Sequence, residues 1–189
     1  MECSYNKKGL KILIRLETDR LILRNFVETD IDDFYEYMSL ESTAKYEGFE
    51  PLSYEESMYF LKRKITLDNE MAVILKENGK MIGDVNFSEA GEKGTYEIGY
   101  DFNEKFWNRG YATEACIAML NHIFCEVGGR RVFAHCNDDN FASIRLLERL
   151  GMRREGYFIE DVTLKKDIYG QPIYVNSYLY AILKKEWHR

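Results

Sequence analysis

The chain has few of the residues that interrupt or cross-link a fold. It holds two prolines among 189 residues and no low-complexity tract, which leaves little material for a linker. Its four cysteines show no paired spacing, which favours a reduced, cytoplasmic setting over a disulfide framework. At this length we expect a single domain over residues 1–189, with residues 1–14 as an N-terminal extension.

Long apolar runs and an excess of positive charge are also missing. The longest apolar runs, such as residues 72–75, are far short of the roughly 20 residues that a membrane helix needs. The N-terminus lacks the apolar core and cleavage site of a secretory signal. The net charge is −6, which argues against a general nucleic-acid binder and is compatible with cationic substrates such as amines. Keeping the protein soluble is the simpler explanation of that charge.

Hydrophobic periodicity and turn residues divide the chain into strands and helices. The predicted order is strand, two helices, three strands, helix, strand, helix and two strands. Ser53 and Glu56 fit a capping box at a helix start. Asn78 and Gly79 indicate a hairpin turn, and Asn140 is a helix cap. Hairpins together with crossover helices predict a mixed sheet with helices on both faces.

A helix start rich in small residues follows the predicted strand over residues 95–102. Helix N-termini expose unpaired N–H groups and the positive end of the helix dipole, so they bind phosphates. Gly110 lets the backbone approach an anion closely, and Ala112 leaves the next turn uncluttered. The sequence has neither a nucleotide P-loop nor a Gly-x-Gly-x-x-Gly motif after a first strand. On these residues alone, a diphosphate cradle and a plain strand-to-helix turn are equally good interpretations.

Three segments, in this order, resemble the GNAT acetyltransferase superfamily. Residues 16–24 (LETDRLILR) resemble the opening strand of the branch that contains the ribosomal-protein N-terminal-amine acetyltransferases. Residues 106–115 (FWNRGYATEA) resemble the family's acetyl-CoA loop, R/Q-x-x-G-x-G/A. Residues 137–152 (NDDNFASIRLLERLGM) resemble its N-x-x-N-x-x-S/A segment. The resemblance implies an α+β fold with a mixed, mostly antiparallel sheet of about seven strands.

The resemblance also implies a cosubstrate and a binding site for it. Acetyl-CoA would be the acyl donor, and the residues expected to contact it are Tyr100, Phe102, Asn108, Arg109, Gly110, Tyr111, Ala112, Thr113, Asn137 and Asn140. For Asn140, helix capping alone is the competing interpretation.

Two positions depart from the family pattern. Trp107 stands where the consensus has Arg or Gln, a replacement typical of this branch, so Arg109 is the candidate to supply the charge. Leu147 stands where many members carry a tyrosine that protonates the leaving thiolate. A simple tyrosine-acid mechanism is therefore not expected.

Acyl transfer from a thioester to an amine needs a base, donors for the oxyanion and a proton for the thiolate. Glu97 is the candidate base, acting through a water, with Asp101 as its backup. A solvated strand residue is the competing interpretation of Glu97. Ser143 resembles the serine that some members of this branch place near the cofactor sulfur, although it equally fits a helix-start role. Gly99 is expected at a strand bulge that frees oxyanion donors, or else as a glycine that relieves crowding.

The remaining histidine and cysteine residues indicate no further chemistry. His122 and Cys125 have helical spacing but no additional ligands nearby in sequence, so no metal site is expected. His135, next to Cys136, is expected to pack in the core.

Three hypotheses of function follow. The first is an N-acetyltransferase that passes an acetyl group to a primary amine by direct attack in a ternary complex, the acceptor being a protein N-terminus or a small amine. Residues 34–51 and the final strands would bind that acceptor. The second is a non-catalytic acyl-CoA-binding module of the same fold. The third is a structural role in an assembly, with a homodimer made by pairing edge strands.

Overall fold

The strands of residues 14–188, the part of the chain that the computed structural model describes, form one eight-stranded sheet. Across the sheet the order is β1-β2-β3-β4-β5-β6-β8-β7. In chain order the strands are β1 (Arg15–Glu17), β2 (Leu21–Arg24), β3 (Glu70–Leu75), β4 (Met81–Glu89), β5 (Thr95–Phe102), β6 (Arg131–Asn137), β7 (Arg153–Lys166) and β8 (Pro172–Leu183). Residues 1–13, which are most of the predicted N-terminal extension, lie outside the described residues.

Neighbouring strands run antiparallel at every junction of this sheet except that between β5 and β6, which is parallel. The predicted mixed, mostly antiparallel sheet is therefore confirmed. It has one strand more than the predicted order, because the three-residue β1 is too short to show an alternating pattern.

Five α-helices cover the sheet in the described part of the chain: α1 (Ile31–Met38), α2 (Glu41–Ala44), α3 (Tyr54–Thr66), α4 (Tyr111–His122) and α5 (Phe141–Arg149). The capping box at α3 is present, since the Ser53 hydroxyl accepts from the Glu56 amide and the Glu56 carboxylate accepts from the Ser53 amide. The predicted hairpin turn joins β3 to β4, with Gly79 at a φ of 73°.

Each face of the sheet has its own core. On one face α4 and α5 cover a core that includes Met119, Leu147 and the ring of Phe102. On the other face α1 and α3 cover a smaller core that includes Phe34 and Leu61. Helices on both faces were expected and are confirmed. Within the described residues, no helix has the length and apolar character needed to cross a membrane.

The two edges of the sheet differ in length. β1 has three residues and β7 has fourteen. An open strand edge offers unpaired backbone groups to another chain. A homodimer through edge strands stays a prediction.

Candidate active site

The two parallel strands separate in the middle of the sheet. β5 pairs with β6 through Thr95, Tyr96 and Glu97, whose partners are Arg131, Val132 and Phe133, and the ladder recorded in the described residues ends there. Beyond it, residues 98–102 and 134–137 continue as strands without pairing to each other. The strands therefore diverge and leave a slot between them, lined by backbone groups. Such groups bind amides and oxyanions readily.

The predicted phosphate cradle lies where β5 leads into α4. Gly110 is the N-cap of α4 at a φ of 81°, and Asn108 also has a positive φ, of 60°. A left-handed backbone is uncommon for a residue other than glycine, so this loop is tightly shaped. Within the described residues no side chain caps the first turn of α4. Its N–H groups are thus left to an external acceptor such as a phosphate.

Other residues of this segment that were predicted to bind the cofactor make contacts within the protein. The Arg109 carbonyl accepts from Arg20, and the Tyr111 ring lies under the Arg20 guanidinium. Thr113 accepts a hydrogen bond from Arg149 at 3.3 Å. The Trp107 indole, which replaces the consensus charge, donates to the Phe102 carbonyl at 2.7 Å and so fastens the loop to the end of β5.

Phe102 belongs to the fold more than to the cradle. Its ring is buried in the α4-side core, and its carbonyl accepts the hydrogen bond of the indole. Both the ring and the carbonyl oxygen of Phe102, which was predicted to contact the cofactor, are therefore engaged within the protein.

The second motif lies across the slot, from the end of β6 into α5. Asn137 ends β6, and its carbonyl accepts from the Asn140 amide at 3.0 Å. The Asn140 side chain accepts from the Ser143 amide at 3.1 Å and so caps α5. The predicted cap is therefore present, and the contact of Asn140 with the cofactor stays a prediction.

Ser143 brings the two sides of the slot together. Its hydroxyl lies 2.6 Å from the hydroxyl of Tyr100 on β5, so β5 and α5 are tied by one short hydrogen bond. Burial raises the pKa of Tyr100 well above its ordinary value, which keeps the phenol protonated. Burial also raises the pKa of the Cys136 thiol to about 11, and a hydrogen bond from Ser143 partly offsets that rise. This network can donate protons but has no group that is anionic at neutral pH.

Glu97 and His135 form a hydrogen-bonded pair where the strands begin to diverge. The Glu97 carboxylate lies 2.9 Å from the His135 Nδ1, and the two side chains are 39% and 43% exposed. The expectation that His135 packs in the core is wrong, because alternation along β6 turns His135 to the face opposite its buried neighbours Ala134 and Cys136. Its pairing with Glu97 was missed because the partners are 38 residues apart in sequence.

The predicted bulge at Gly99 is wrong. The register between β4 and β5 runs without a shift from the Gly83–Phe102 pair to the Glu89–Tyr96 pair. A Cβ atom on Gly99 would lie 2.9 Å from the Asn86 side-chain nitrogen, so the crowding interpretation is correct. Unpaired backbone arises instead from the divergence of β5 and β6.

Asp101, the backup base, lies in a group of carboxylates on the α1–α3 side. Burial and the charges of Glu47 and Asp84 raise the pKa of Asp101 well above its ordinary value. Burial, together with the charge of Asp84, also raises the pKa of Glu47 to about 7. The rise favours the neutral form of Asp101 over the carboxylate, and the role of Asp101 as a backup base stays a prediction.

Two grooves open near these residues. One, of about 900 Å³, runs between β1 and α4 and begins at Gly110 and Thr113. The other, of about 520 Å³, lies beside Asn137 and is lined by Lys45 and Tyr46 and by the β7–β8 strands, including Tyr174 and Glu160. This second groove joins the two regions that were expected to bind an acceptor.

Comparison with known proteins agrees with this geometry. The Acetyltransferase (GNAT) domain family matches residues 20–153. The uncharacterised N-acetyltransferase YnaD of Bacillus subtilis (strain 168) is 35% identical over 93% of this chain and 100% of its own length. The ribosomal protein uS5 alanine N-acetyltransferase of Escherichia coli (strain K12) is 26% identical over 76% of this chain and 80% of its own length. The predicted resemblance to this branch is thereby confirmed.

A solved structure matches over a similar extent. The GNAT-family acetyltransferase from Bacillus anthracis has a TM-score of 0.84 and 32% identity, covering 92% of this chain and 100% of its own. The family match spans both the helix-start loop and the β6–α5 segment. The chain belongs to the GNAT family of N-acetyltransferases.

Proposed function

We propose that this N-acetyltransferase takes the acetyl group from acetyl-CoA and transfers it to a primary amine by direct attack within a ternary complex. The separation of β5 and β6 beyond Glu97 and Phe133 carries the proposal. It opens a slot with a phosphate-binding helix start on one side and the Ser143 network on the other. An acyl-CoA ester needs that combination, because its pyrophosphate and its thioester must be held at the same time.

The cofactor would enter along the α4 side of the slot. The uncapped amides at the start of α4 suit the pyrophosphate, and Gly110 removes the side chain that would block its approach. The unpaired backbone of β5 and β6 suits the amides of the pantetheine arm. Asn137 lies at the mouth of the slot, beside the groove proposed for the acceptor.

Deprotonation of the amine would fall to the Glu97–His135 pair. An alkylammonium must lose a proton before its nitrogen can attack the thioester carbonyl. Glu97 holds Nδ1 of His135, which orients the ring and stabilises the imidazolium once it forms. Both side chains are partly exposed, so a water can complete the path from the amine.

Stabilisation of the thiolate would fall to Ser143. Its hydroxyl is the polar group of α5 that meets β5, and it can donate a hydrogen bond to the thiolate while the protonated Tyr100 hydroxyl donates to the serine oxygen. Leu147, at the position of the familiar tyrosine, is fully buried in the core and has no part in proton transfer.

The acceptor would bind in the 520 Å³ groove beside Asn137. The groove contains aromatic Tyr174 and three carboxylates, Asp138, Asp139 and Glu160, which outnumber its two lysines, Lys45 and Lys165. That balance suits a cationic amine. Either a peptide N-terminus or a small amine fits this description.

The test is a turnover screen with acetyl-CoA over small amines and N-terminal peptides, followed by free-thiol release. Turnover with intersecting initial-velocity lines is the expected result. Parallel lines would contradict direct attack. Binding of acetyl-CoA with no turnover for any amine would favour the non-catalytic binding module, and failure to bind any CoA ester would overturn both hypotheses.

A further inference from the structure

The first turn of α4 contains a carboxylate of its own. Glu114 lies four residues after the N-cap Gly110, close to amides that are proposed to receive a pyrophosphate. A carboxylate at this place interacts favourably with the positive end of the helix and competes with an external anion. The direction of its side chain therefore matters for cofactor binding.

The turn between β1 and β2 holds that carboxylate. The Thr18 hydroxyl donates to Glu114 Oε1 at 2.6 Å, and the Arg20 backbone amide donates to the same oxygen at 2.9 Å. The Arg20 Nε donates to Oε2 at 2.7 Å. Both oxygens of Glu114 are thus engaged by a segment more than 90 residues away in sequence.

Arg20 also contacts the rest of the loop. Its Nη1 donates to the Arg109 carbonyl at 3.0 Å, and its guanidinium carbon lies 4.5 Å from the centroid of the Tyr111 ring. A Cβ atom on Gly110 would lie 3.4 Å from its Nη2. One side chain therefore contacts three residues of the helix start and lies beside Gly110.

The negative charge of Glu114 is compensated by Arg20. Burial opposes ionisation of Glu114, but hydrogen bonds from Thr18 and Arg20 outweigh it and lower the pKa of Glu114. Glu114 is therefore anionic, with a side chain only 17% exposed, and the guanidinium of Arg20 compensates its charge.

We infer that Thr18 and Arg20 are positioning residues for the cofactor. They draw Glu114 away from the amides of α4 and fix the Arg109 carbonyl, so that the first turn stays open to the pyrophosphate of a CoA ester. This inference rests on the proposed acyl-CoA function. It gives the first motif of the chain a role in cofactor affinity, separate from the chemistry at Glu97 and Ser143.

The test is titration calorimetry of the full chain with CoA. Arg20→Ala leaves the Glu114 charge uncompensated beside the pyrophosphate, so CoA should bind roughly 5- to 30-fold more weakly. Adding Glu114→Gln to that variant should restore most of the affinity, since the repelling charge is gone. The loss in Arg20→Ala should also appear in the KM for acetyl-CoA and not in kcat.

Arg153→Ala is the matched control. Arg153 is 46% exposed against 47% for Arg20 and pairs with Glu155 and Glu186, not with a residue at the start of α4. It should bind CoA as the natural chain does. If Arg20→Ala does not fold, Arg20→Lys keeps the charge but cannot reach the Arg109 carbonyl and Glu114 together, and it should bind less tightly than the natural chain.

Three results would overturn the inference. One is wild-type affinity in a folded Arg20→Ala or Arg20→Lys chain. Another is a double variant no better than Arg20→Ala, which would make Arg20 a direct phosphate ligand. The third is a smaller loss with dephospho-CoA than with CoA, which would assign Arg20 to the 3′-phosphate. If the natural chain itself fails to bind CoA, the proposed function fails first.

Discussion

The two faces of the sheet differ in the polarity of the side chains that they bury. The α4 face is mostly apolar, and its polar contacts between strand and helix are the neutral pair of Tyr100 and Ser143 and a longer bond, of 3.4 Å, from Tyr180 to Glu148. The α1–α3 face buries charge: Asp84 is fully buried and accepts from Tyr37 at 2.5 Å and from Lys64 at 3.2 Å. A neutral face suits a thioester, whereas a face rich in carboxylates suits a cationic amine. On the proposed function, the two substrates would lie on opposite sides of β5.

On the α1–α3 face, buried groups of opposite charge stabilise one another. Burial works against the charge of Lys64, but Asp84 and Glu70 outweigh it and raise the pKa of Lys64. A buried ion pair of this kind adds little over an apolar pair, yet it is costly to break. Changes on this face should therefore affect stability more than changes on the neutral face.

The largest effect is expected for Asp84→Ala. It leaves the Tyr37 hydroxyl without its acceptor and Lys64 with Glu70 as its remaining recorded ion-pair partner within the described residues, so unfolding should cost about 3–5 kcal/mol less. Chemical denaturation measures this loss. Ser88→Ala, on the same strand but exposed, is the control and should stay within about 0.5 kcal/mol. A loss below about 1 kcal/mol for Asp84→Ala would remove the contrast between the faces.

Next in size is the catalytic effect of Glu97→Gln. The amide cannot stabilise an imidazolium on His135, so kcat should fall by about 100-fold and its pH profile should change. His135→Gln should have a comparable effect. Glu77→Gln, in the exposed hairpin turn, is the control and should behave as the natural chain does. Nearly unchanged kinetics in Glu97→Gln would remove the pair from the mechanism.

The pH dependence of stability tests the carboxylates of the α1–α3 face, with a smaller expected effect. Because the pKa of Glu47 is raised to about 7, its neutral form is favoured by folding, and the stability it contributes at low pH is lost as the pH rises from about 4.5 through 7. Glu47→Gln should recover about 1–2 kcal/mol at pH 8 relative to the natural chain, and nothing at pH 4. Thermal unfolding across that range measures the difference. A parallel pH dependence in both chains would contradict it.

The smallest effect is expected on the neutral face, for Ser143→Ala. Loss of the hydroxyl removes the proposed donor to the thiolate, but free CoA is a moderate leaving group at neutral pH, so kcat should fall about three- to tenfold. Tyr100→Phe keeps the ring and removes only the second hydroxyl, so its effect should be smaller. A larger loss in Tyr100→Phe than in Ser143→Ala would reverse the proposed order of the two donors.

Features set by neighbouring residues could be predicted from the sequence. The cap at Ser53, the turn at Gly79 and the cap at Asn140 each depend on contacts within four residues, and each is present. The helix start at Gly110 could be predicted for the same reason and is present, while phosphate binding there stays a prediction.

Features that depend on distant partners could not be predicted. The contact between Glu97 and His135 requires knowing which strands are adjacent and in what register. The bulge predicted at Gly99 was wrong because the position needs a glycine for another reason. The Asn86 side chain on the neighbouring strand leaves no room for a Cβ atom there. The charged group around Asp84 likewise draws its members from three strands and two helices.

The short pairing of β5 with β6 has a mechanical consequence. The sheet consists of two antiparallel blocks, β1–β5 and β6–β8–β7, joined through a parallel seam of three residue pairs. Elsewhere the two blocks meet through side chains of the shared core under α4 and α5, not through strand pairing. A cofactor bound as proposed would bridge the blocks where their backbone pairing ends. Amide hydrogen exchange along β5 and β6 should therefore slow when CoA is bound.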